Sequence, residues 1–275
     1  MPLSMSRPGA IGVFDSGLGG LTVVRAIRAR CPDEDLIYLG DTARVPYGTR
    51  SSATVLTYAR GCASMLDRRG IKLLVVACNT VSAVALDMLR LELDVPVLGV
   101  IEPGAGAGVA ASKRGRIGVI ATEGTVSSGA YERAVASRDS RAETFMASAP
   151  LLVPLAEEGW TDGEVPRLAA RRYLQPLVDN DIDVLVLGCT HYPLLRGAIE
   201  AELSSLAAGP VPVVDSAEAT AAELSALLDA RDMGAEPGAG RLQILVTDKP
   251  GPFATTASRF IGHALDDGAV EQVDL

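Results

Sequence analysis

The sequence predicts an α/β fold made of two similar, doubly wound α/β domains with a ligand cleft between them. Two apolar runs carry most of that prediction: Leu73-Leu74-Val75-Val76-Ala77-Cys78-Asn79-Thr80 and Val184-Leu185-Val186-Leu187-Gly188-Cys189-Thr190-His191. Each ends on a cysteine followed by small polar residues. A continuous apolar run that leads through a turn into a helical pattern reads as a strand buried on both faces. The composition agrees: 48% of the 275 residues are hydrophobic but only 4% are aromatic. The core is therefore built of Val, Leu, Ile and Ala, as in parallel strands covered by helices. The third observation is an internal echo. Ile11-Gly12-Val13 and Ile117-Gly118-Val119 start 106 residues apart, and Cys78 and Cys189 lie 111 apart.

Ile11-Gly12-Val13-Phe14 is a short strand ending on Asp15-Ser16-Gly17. Gly19-Gly20 then opens a helix with Leu21, Val24 and Ile27 along one face. Asp35 to Leu39 is a second strand, ending on Gly40-Asp41. The connection from Thr42 to Arg50 is long for a βα loop, and long ordered loops are often functional. Ser51 or Ser52 caps the next helix, and Gly70 ends it. The Cys78 strand leads into a helix from about Val81 to Leu91. Val97 to Val100 is a strand, and a helix of small residues begins at Glu102-Pro103-Gly104, with Gly106 and Gly108 allowing close packing. Arg116 to Thr125 resembles Ile11 to Gly17 in outline.

A further strand falls near Ala142 to Met146. Leu151 to Leu155 reads as another, running into Glu157-Glu158-Gly159-Trp160. A helix from Glu164 to Val178 precedes the Cys189 strand, and another follows Pro193. Val211 to Asp215 and Leu242 to Val246 are strand-like pieces without a cysteine counterpart. A helix from Ala217 to Leu228 separates them, and a last helix follows Pro252. Both pieces are assigned to the first half. The expected division is a discontinuous first domain, residues 1–96 plus 211–275, with a second domain, residues 97–210, inserted in it.

A net charge of −9 argues against a nucleic-acid surface, which is normally basic. No run approaches the roughly 18 apolar residues that cross a bilayer. Met1 to Ala10 has no apolar core of a leader peptide. Cys31, Cys62, Cys78 and Cys189 show no C-x-x-C pairing, so they read as free thiols of a cytoplasmic protein.

In open α/β sheets, ligands bind beyond the carboxyl ends of the strands. Cys78 and Cys189 therefore stand at two strand tips where a substrate would lie. Two thiols on opposite sides of one substrate make a proton donor and a proton acceptor. A free thiol has a pKa of about 8.5, so a neighbouring base or a helix N-terminus must help it ionise. His191 lies two residues beyond Cys189 and either assists it or is structural. Asp15 either serves groups near Cys78 or caps the following helix. Glu157 and Glu158 either point into the cleft or begin a solvated helix. Gly17-Leu18-Gly19-Gly20 does not fit G-x-G-x-x-G and lacks the P-loop lysine, so it reads as a helix N-terminus able to hold a carboxylate. One Cys-x-His pair makes a poor metal site. Lys72, Lys113 and Lys249 are the only lysines, and none sits in a turn suited to a pyridoxal Schiff base. No cofactor is expected.

Four segments resemble the signatures of one known family. These are Phe14-Asp15-Ser16-Gly17-Leu18-Gly19-Gly20, Gly40-Asp41-Thr42-Ala43-Arg44-Val45-Pro46-Tyr47-Gly48, Ala77-Cys78-Asn79-Thr80 and Gly188-Cys189-Thr190-His191-Tyr192-Pro193-Leu194. They look like those of the glutamate racemases, within the cofactor-independent aspartate/glutamate racemases, in the expected order over residues 11 to 262. The resemblance implies two α/β domains related by pseudo-twofold symmetry. It also implies an isomerase that converts L-glutamate to D-glutamate for peptidoglycan and cell-wall biogenesis, working as a homodimer.

Carried over residue by residue, Cys78 and Cys189 are the two acid/base thiols. Cys78 acts on D-glutamate and Cys189 on L-glutamate, assisted by Asp15 and His191 respectively. Glu157 matches the family's acidic residue after the V-P-L segment. Ser16, Tyr47, Gly48, Asn79, Thr80, Thr190 and His191, with Asp15, hold the substrate. Ala149 stands where relatives often carry a third cysteine. The short segment before Ile11 implies no activation by a cell-wall precursor. An interaction with DNA gyrase is suggested by family analogy alone. A sister racemase acting on aspartate, a single-thiol isomerase or decarboxylase, and a non-catalytic inhibitory protein are the competing readings.

Overall fold

The structure, a computed structural model, describes residues 9–265 and 268–275. Residues 1–8, most of the segment read as lacking a leader's apolar core, lie outside the described residues.

The first repeat of the chain runs β1 (Ile11–Asp15), α1 (Leu21–Arg30), β2 (Leu36–Gly40), α2 (Ser52–Asp67), β3 (Leu73–Val76), α3 (Asn79–Glu92), β4 (Val97–Gly99) and α4 (Ile101–Ala111). The second runs β5 (Arg116–Ala121), α5 (Glu123–Ser127), α6 (Ala130–Arg138), β6 (Glu143–Ser148), α7 (Leu152–Glu158), α8 (Glu164–Asp179), β7 (Val184–Gly188), α9 (Arg196–Leu206), β8 (Val213–Asp215) and α10 (Ser216–Ala230). The chain ends with β9 (Leu242–Val246), α11 (Pro250–Ile261) and β10 (Val270–Gln272).

All strands pair in parallel. One sheet has the order β10-β9-β2-β1-β3-β4 and the other β6-β5-β7-β8. The order β2-β1-β3-β4 is thus repeated by β6-β5-β7-β8, which is the doubly wound duplication expected from the two I-G-V segments. Strands β1, β3 and β7 are buried at every position, so continuous apolar runs were the right signature.

Strand membership corrects the expected division of the chain. The strand at Val97, assigned to the second domain, pairs with β3, Leu74 opposite Val97. The piece at Val211 to Asp215, assigned to the first, pairs with β7, Leu185 opposite Val213. Each thiol-bearing strand would otherwise be a sheet edge with unpaired N–H and C=O groups, and the strand after the next crossover covers it. Both junctions therefore fall just after β4 and β8 rather than at 96/97 and 210/211. Only β9 and β10 extend the first sheet beyond the repeat.

Leu151 to Leu155 is a second correction. This run is helical, forming most of α7, with Pro154 in the first turn where no intrahelical N–H is required. The helix after Cys78 starts at Asn79 rather than Val81, with Cys78 at its N-cap. Of the two serines offered as a cap for α2, Ser51 is used: its Oγ accepts the Thr54 N–H at 3.3 Å. Gly70 ends that segment with φ +72°.

The two sheets are tied by exchanged helices. α4 follows a first-sheet strand but packs on β7 and α6, whereas α10 follows a second-sheet strand but packs on α1. Small residues make the first crossing possible: a Cβ on Gly108 would lie 2.8 Å from Val186 Cγ2 of β7. The neighbouring Gly106 faces ordinary contacts, with Arg138 Cζ nearest at 3.6 Å.

The two glycines should therefore respond oppositely. Gly108→Val, by overpacking, should cost about 1–3 kcal/mol in denaturant unfolding. Gly106→Ala should gain up to about 1 kcal/mol by helix propensity. Equal responses at both positions would contradict the close α4–β7 crossing.

Candidate active site

The carboxyl ends of β1, β3 and β7 converge where the two sheets face each other. They enclose a cavity of about 290 Å³ lined by residues of both repeats. Cys78, at the tip of β3, and Cys189, at the tip of β7, both line it and are 7% and 6% exposed. Ser16, Tyr47, Gly48, Asn79, Thr80, Thr190, His191 and Glu157 line it too. The structure thus brings together every site residue expected from the sequence. Asp15 alone stands behind the wall rather than in it. Cys62, by contrast, is buried on α2, away from the cavity, with Arg44 Nη2 3.9 Å from its sulfur.

The Cys78 thiol donates to Ser16 Oγ at 3.5 Å. Burial, and next the Asp15 carboxylate, push its pKa up to about 12. Asp15 ends β1, 1% exposed, and its Oδ2 accepts the Gly17 N–H at 2.9 Å. Burial also raises the Asp15 carboxyl, against the lowering pull of His191 and the backbone N–H groups of Gly17, Gly20 and Ser16. Its Oδ1 is buried without a hydrogen-bond partner. Both readings of Asp15 meet here, since one oxygen serves the turn before α1 and the other stays uncommitted.

On the other side, Cys189 Sγ lies 3.8 Å from His191 Nδ1, and His191 Nε2 lies 2.9 Å from Glu157 Oε1. Burial disfavours the imidazolium. The hydrogen bonds to Cys189 and Glu157 outweigh it and raise the His191 pKa to about 10. Phe260 of α11 meets the ring edge-on, with centroids 5.2 Å apart. The two acidic alternatives separate: Glu157 turns into the cleft and Glu158 is exposed.

The loop between β2 and α2 contributes Tyr47 and Gly48. It hangs on the fully buried Asp41 carboxylate, which accepts hydrogen bonds from Arg44 Nε at 2.7 Å, Thr247 Oγ1 at 2.8 Å and the Tyr47 hydroxyl. Thr80 Oγ1 meets Thr122 Oγ1 at 3.0 Å across the cleft. Thr122 and Glu123 also line the cavity, as do Pro150, Val153 and Pro154. None of these was singled out from the sequence. Thr122-Glu123 was findable as the repeat equivalent of Ser16-Gly17, and Val153-Pro154 was hidden by the strand reading of Leu151 to Leu155. Lys72 sits at the end of β3 opposite Cys78, paired with Glu34 at 2.6 Å. Among the described residues, no group of three or more His, Cys, Asp or Glu side chains is placed to hold a metal ion. No helix among them is long and apolar enough to cross a membrane.

A cavity between twin α/β sheets, with a thiol on each side and a carboxyl and an imidazole beside them, suits the movement of protons at carbon. Residues 19–224 match the Asp/Glu/hydantoin racemase family, and the chain belongs to that family. A glutamate racemase of Geobacter metallireducens is 49% identical over 97% of both chains. The crystal structure of a glutamate racemase isoform from Bacillus anthracis superposes with a TM-score of 0.91 at 39% identity, covering 97% of this chain and 98% of that one. A Francisella tularensis glutamate racemase in complex with D-glutamate gives 0.88 at 33% identity, covering 97% and 98%.

The raised His191 pKa has a testable sign. In the unfolded chain the imidazole titrates near 6.5 and in the folded protein near 10. The stability it contributes is therefore complete below pH 6.5 and is lost as pH rises through about 10. Thermal unfolding of the parent and of His191→Asn should differ most at about pH 6 and converge toward about pH 10.5. A gap that widens with pH would contradict an imidazolium held by Cys189 and Glu157.

Proposed function

We propose that this protein is a glutamate racemase, interconverting L- and D-glutamate by a cofactor-independent two-thiol mechanism and supplying D-glutamate for peptidoglycan. The observation that carries the reading is the pair of buried strand-tip cysteines lining one cavity, each with its own titratable partner. The high identity to glutamate racemases over nearly the whole chain supports the substrate.

A racemase must take the α-proton from one face of Cα and return a proton to the other. One thiol on each face does this without turning the intermediate. Cys78 would serve D-glutamate and Cys189 L-glutamate. In the resting site Cys78 is protonated, because its pKa lies near 12, and it is ready to donate. The His191 imidazolium beside Cys189 Sγ places positive charge where that sulfur must carry negative charge as the base. The ammonium group of a bound substrate would add positive charge to the same cavity. The carbanion is the difficult species, so donors fixed around the carboxylate must stabilise charge that appears only in the transition state. Ser16, Asn79, Thr80 and Thr190 would supply those donors.

Cys78→Ser and Cys189→Ser should each abolish racemisation, followed by circular dichroism with either enantiomer, while leaving the unfolding midpoint within a few degrees of the parent's. Near-normal turnover by either single variant would sink the two-thiol mechanism.

The helper residues should divide by face. General acid–base assistance is typically worth about 10²–10⁴-fold, so removing a helper is readily measured. Enantiomers have equal free energy, so kcat/KM must fall equally in both directions. The asymmetry then appears in kcat and KM taken separately, or in isotope effects with α-deuterated substrate. Asp15→Asn should slow proton removal from D-glutamate most, and His191→Asn that from L-glutamate. Identical isotope effects from both enantiomers in both variants would remove the assignment of helpers to faces.

A further inference from the structure

Tyr131, in α6 of the second repeat, is fully buried and does not line the cavity. Yet it touches the turns that bear both thiols. Its hydroxyl donates to Asn79 Oδ1 at 2.8 Å, and Asn79 directly follows Cys78. Its ring lies against Gly188, which directly precedes Cys189: a Cβ there would fall 3.0 Å from Tyr131 Cε2. Gly104 of α4 closes the other side, where a Cβ would lie 3.3 Å from the Tyr131 hydroxyl oxygen and 3.0 Å from Ser216 Cβ. The phenol is thus wedged between the two halves, with Ser216 beside its hydroxyl and the proton given to the side chain of Asn79.

That side chain is an amide, which has two orientations of the same shape and opposite hydrogen-bonding character. Asn79 is 3% exposed and lines the cavity. With Oδ1 taken by the phenol, Nδ2 is left as a buried donor without a partner. An unpaired buried donor is costly, and it becomes paired only when an acceptor enters the cavity. The reversed amide would present an oxygen to that acceptor instead and would have no hydrogen to offer it. Burial raises the Tyr131 pKa well above the ordinary range, so the hydroxyl remains a donor through neutral pH.

We propose that Tyr131 is a positioning residue that locks the Asn79 amide with its N–H groups toward the cavity, presetting a donor for the substrate carboxylate next to Cys78. Because the lock reaches across from the second repeat, this donor is correctly aimed only when the two halves are closed on each other. The inference rests on the reading of the cavity as an amino-acid site.

The test is a double-mutant cycle of Tyr131→Phe and Asn79→Ala, with a spectroscopic readout independent of turnover. Tyr131→Phe keeps the ring against Gly188 and removes only the hydroxyl. It should lower kcat/KM for glutamate by roughly three- to tenfold, equally from both enantiomers, as expected for one neutral hydrogen bond. In the Asn79→Ala background the same exchange should change kcat/KM by less than about twofold, because the residue it acts through is gone. The ¹⁵N side-chain amide resonance assigned to Asn79 by its loss in Asn79→Ala should shift in Tyr131→Phe, while the rest of the spectrum keeps its dispersion. Equal losses in both backgrounds would mean that Tyr131 acts only through packing and would overturn the proposal. So would an unchanged Asn79 resonance. If the parent protein turns over no glutamate, the substrate reading fails on that result alone, and the amide spectrum still decides whether Tyr131 sets the amide.

Discussion

The structure depends on holding two strand tips from separate sheets face to face at side-chain contact distance. Backbone approach enforces this. A Cβ on Gly19 would fall 2.1 Å from Thr190 Oγ1 and 2.6 Å from His191 Nδ1, so the turn after β1 lies directly against the turn after β7. Thr22 of α1 then donates to the Thr190 carbonyl at 2.9 Å, closing the contact with a buried hydrogen bond. Gly48 and Gly124 repeat the arrangement on the other side, where a Cβ on Gly124 would lie 2.9 Å from the Gly48 carbonyl. The two halves meet at the rim of the cavity because glycines there let backbone approach so closely.

Such closeness fixes the electrostatics. Asp15, Cys78, Cys189 and His191 are buried, so they act on one another with little solvent screening, whereas Glu157 is partly exposed. The two sides then diverge. Asp15 is a buried carboxyl whose charge discourages a second negative charge on Cys78. His191 is an imidazole whose hydrogen bonds to Cys189 and then to Glu157 favour its cationic form, which places positive charge beside Cys189 Sγ. Cys78 thus holds its proton, and Cys189 stands beside an imidazole. A two-base site needs one protonated thiol before substrate arrives, since two thiolates would have no proton to return.

Much of this was legible in the sequence, for a physical reason. A parallel strand buried on both faces must be apolar along its length, so the run ends where the ligand space begins. Cys78, Cys189, Asp15 and their neighbours are marked by that boundary. The sheet neighbours of β4 and β8 were not legible, because pairing is decided by which edge remains open and not by local pattern. Leu151 to Leu155 was misread because a short apolar run carries no period that separates strand from helix. Tyr131 left no signal at all. Nothing in Gly129-Ala130-Tyr131-Glu132 distinguishes a core tyrosine from one that reaches a residue 52 positions away.

The duplication explains why the fold suits this chemistry, and its imperfection explains why it works. Matched strand orders bring equivalent tips to opposite sides of one cavity, which is the geometry that two faces of a tetrahedral carbon require. The helpers need not match. Because the enantiomers have equal free energy, the equilibrium is indifferent to whether a carboxyl or an imidazole stands behind each thiol. Selection can therefore tune each side separately for rate. Asp15 and Ala121, which occupy corresponding strand ends, show how far that has gone: one is a buried carboxyl behind the wall, the other a methyl group with nothing to titrate. The strands retain the symmetry that geometry demands, and the side chains at their tips have given up the symmetry that chemistry does not need.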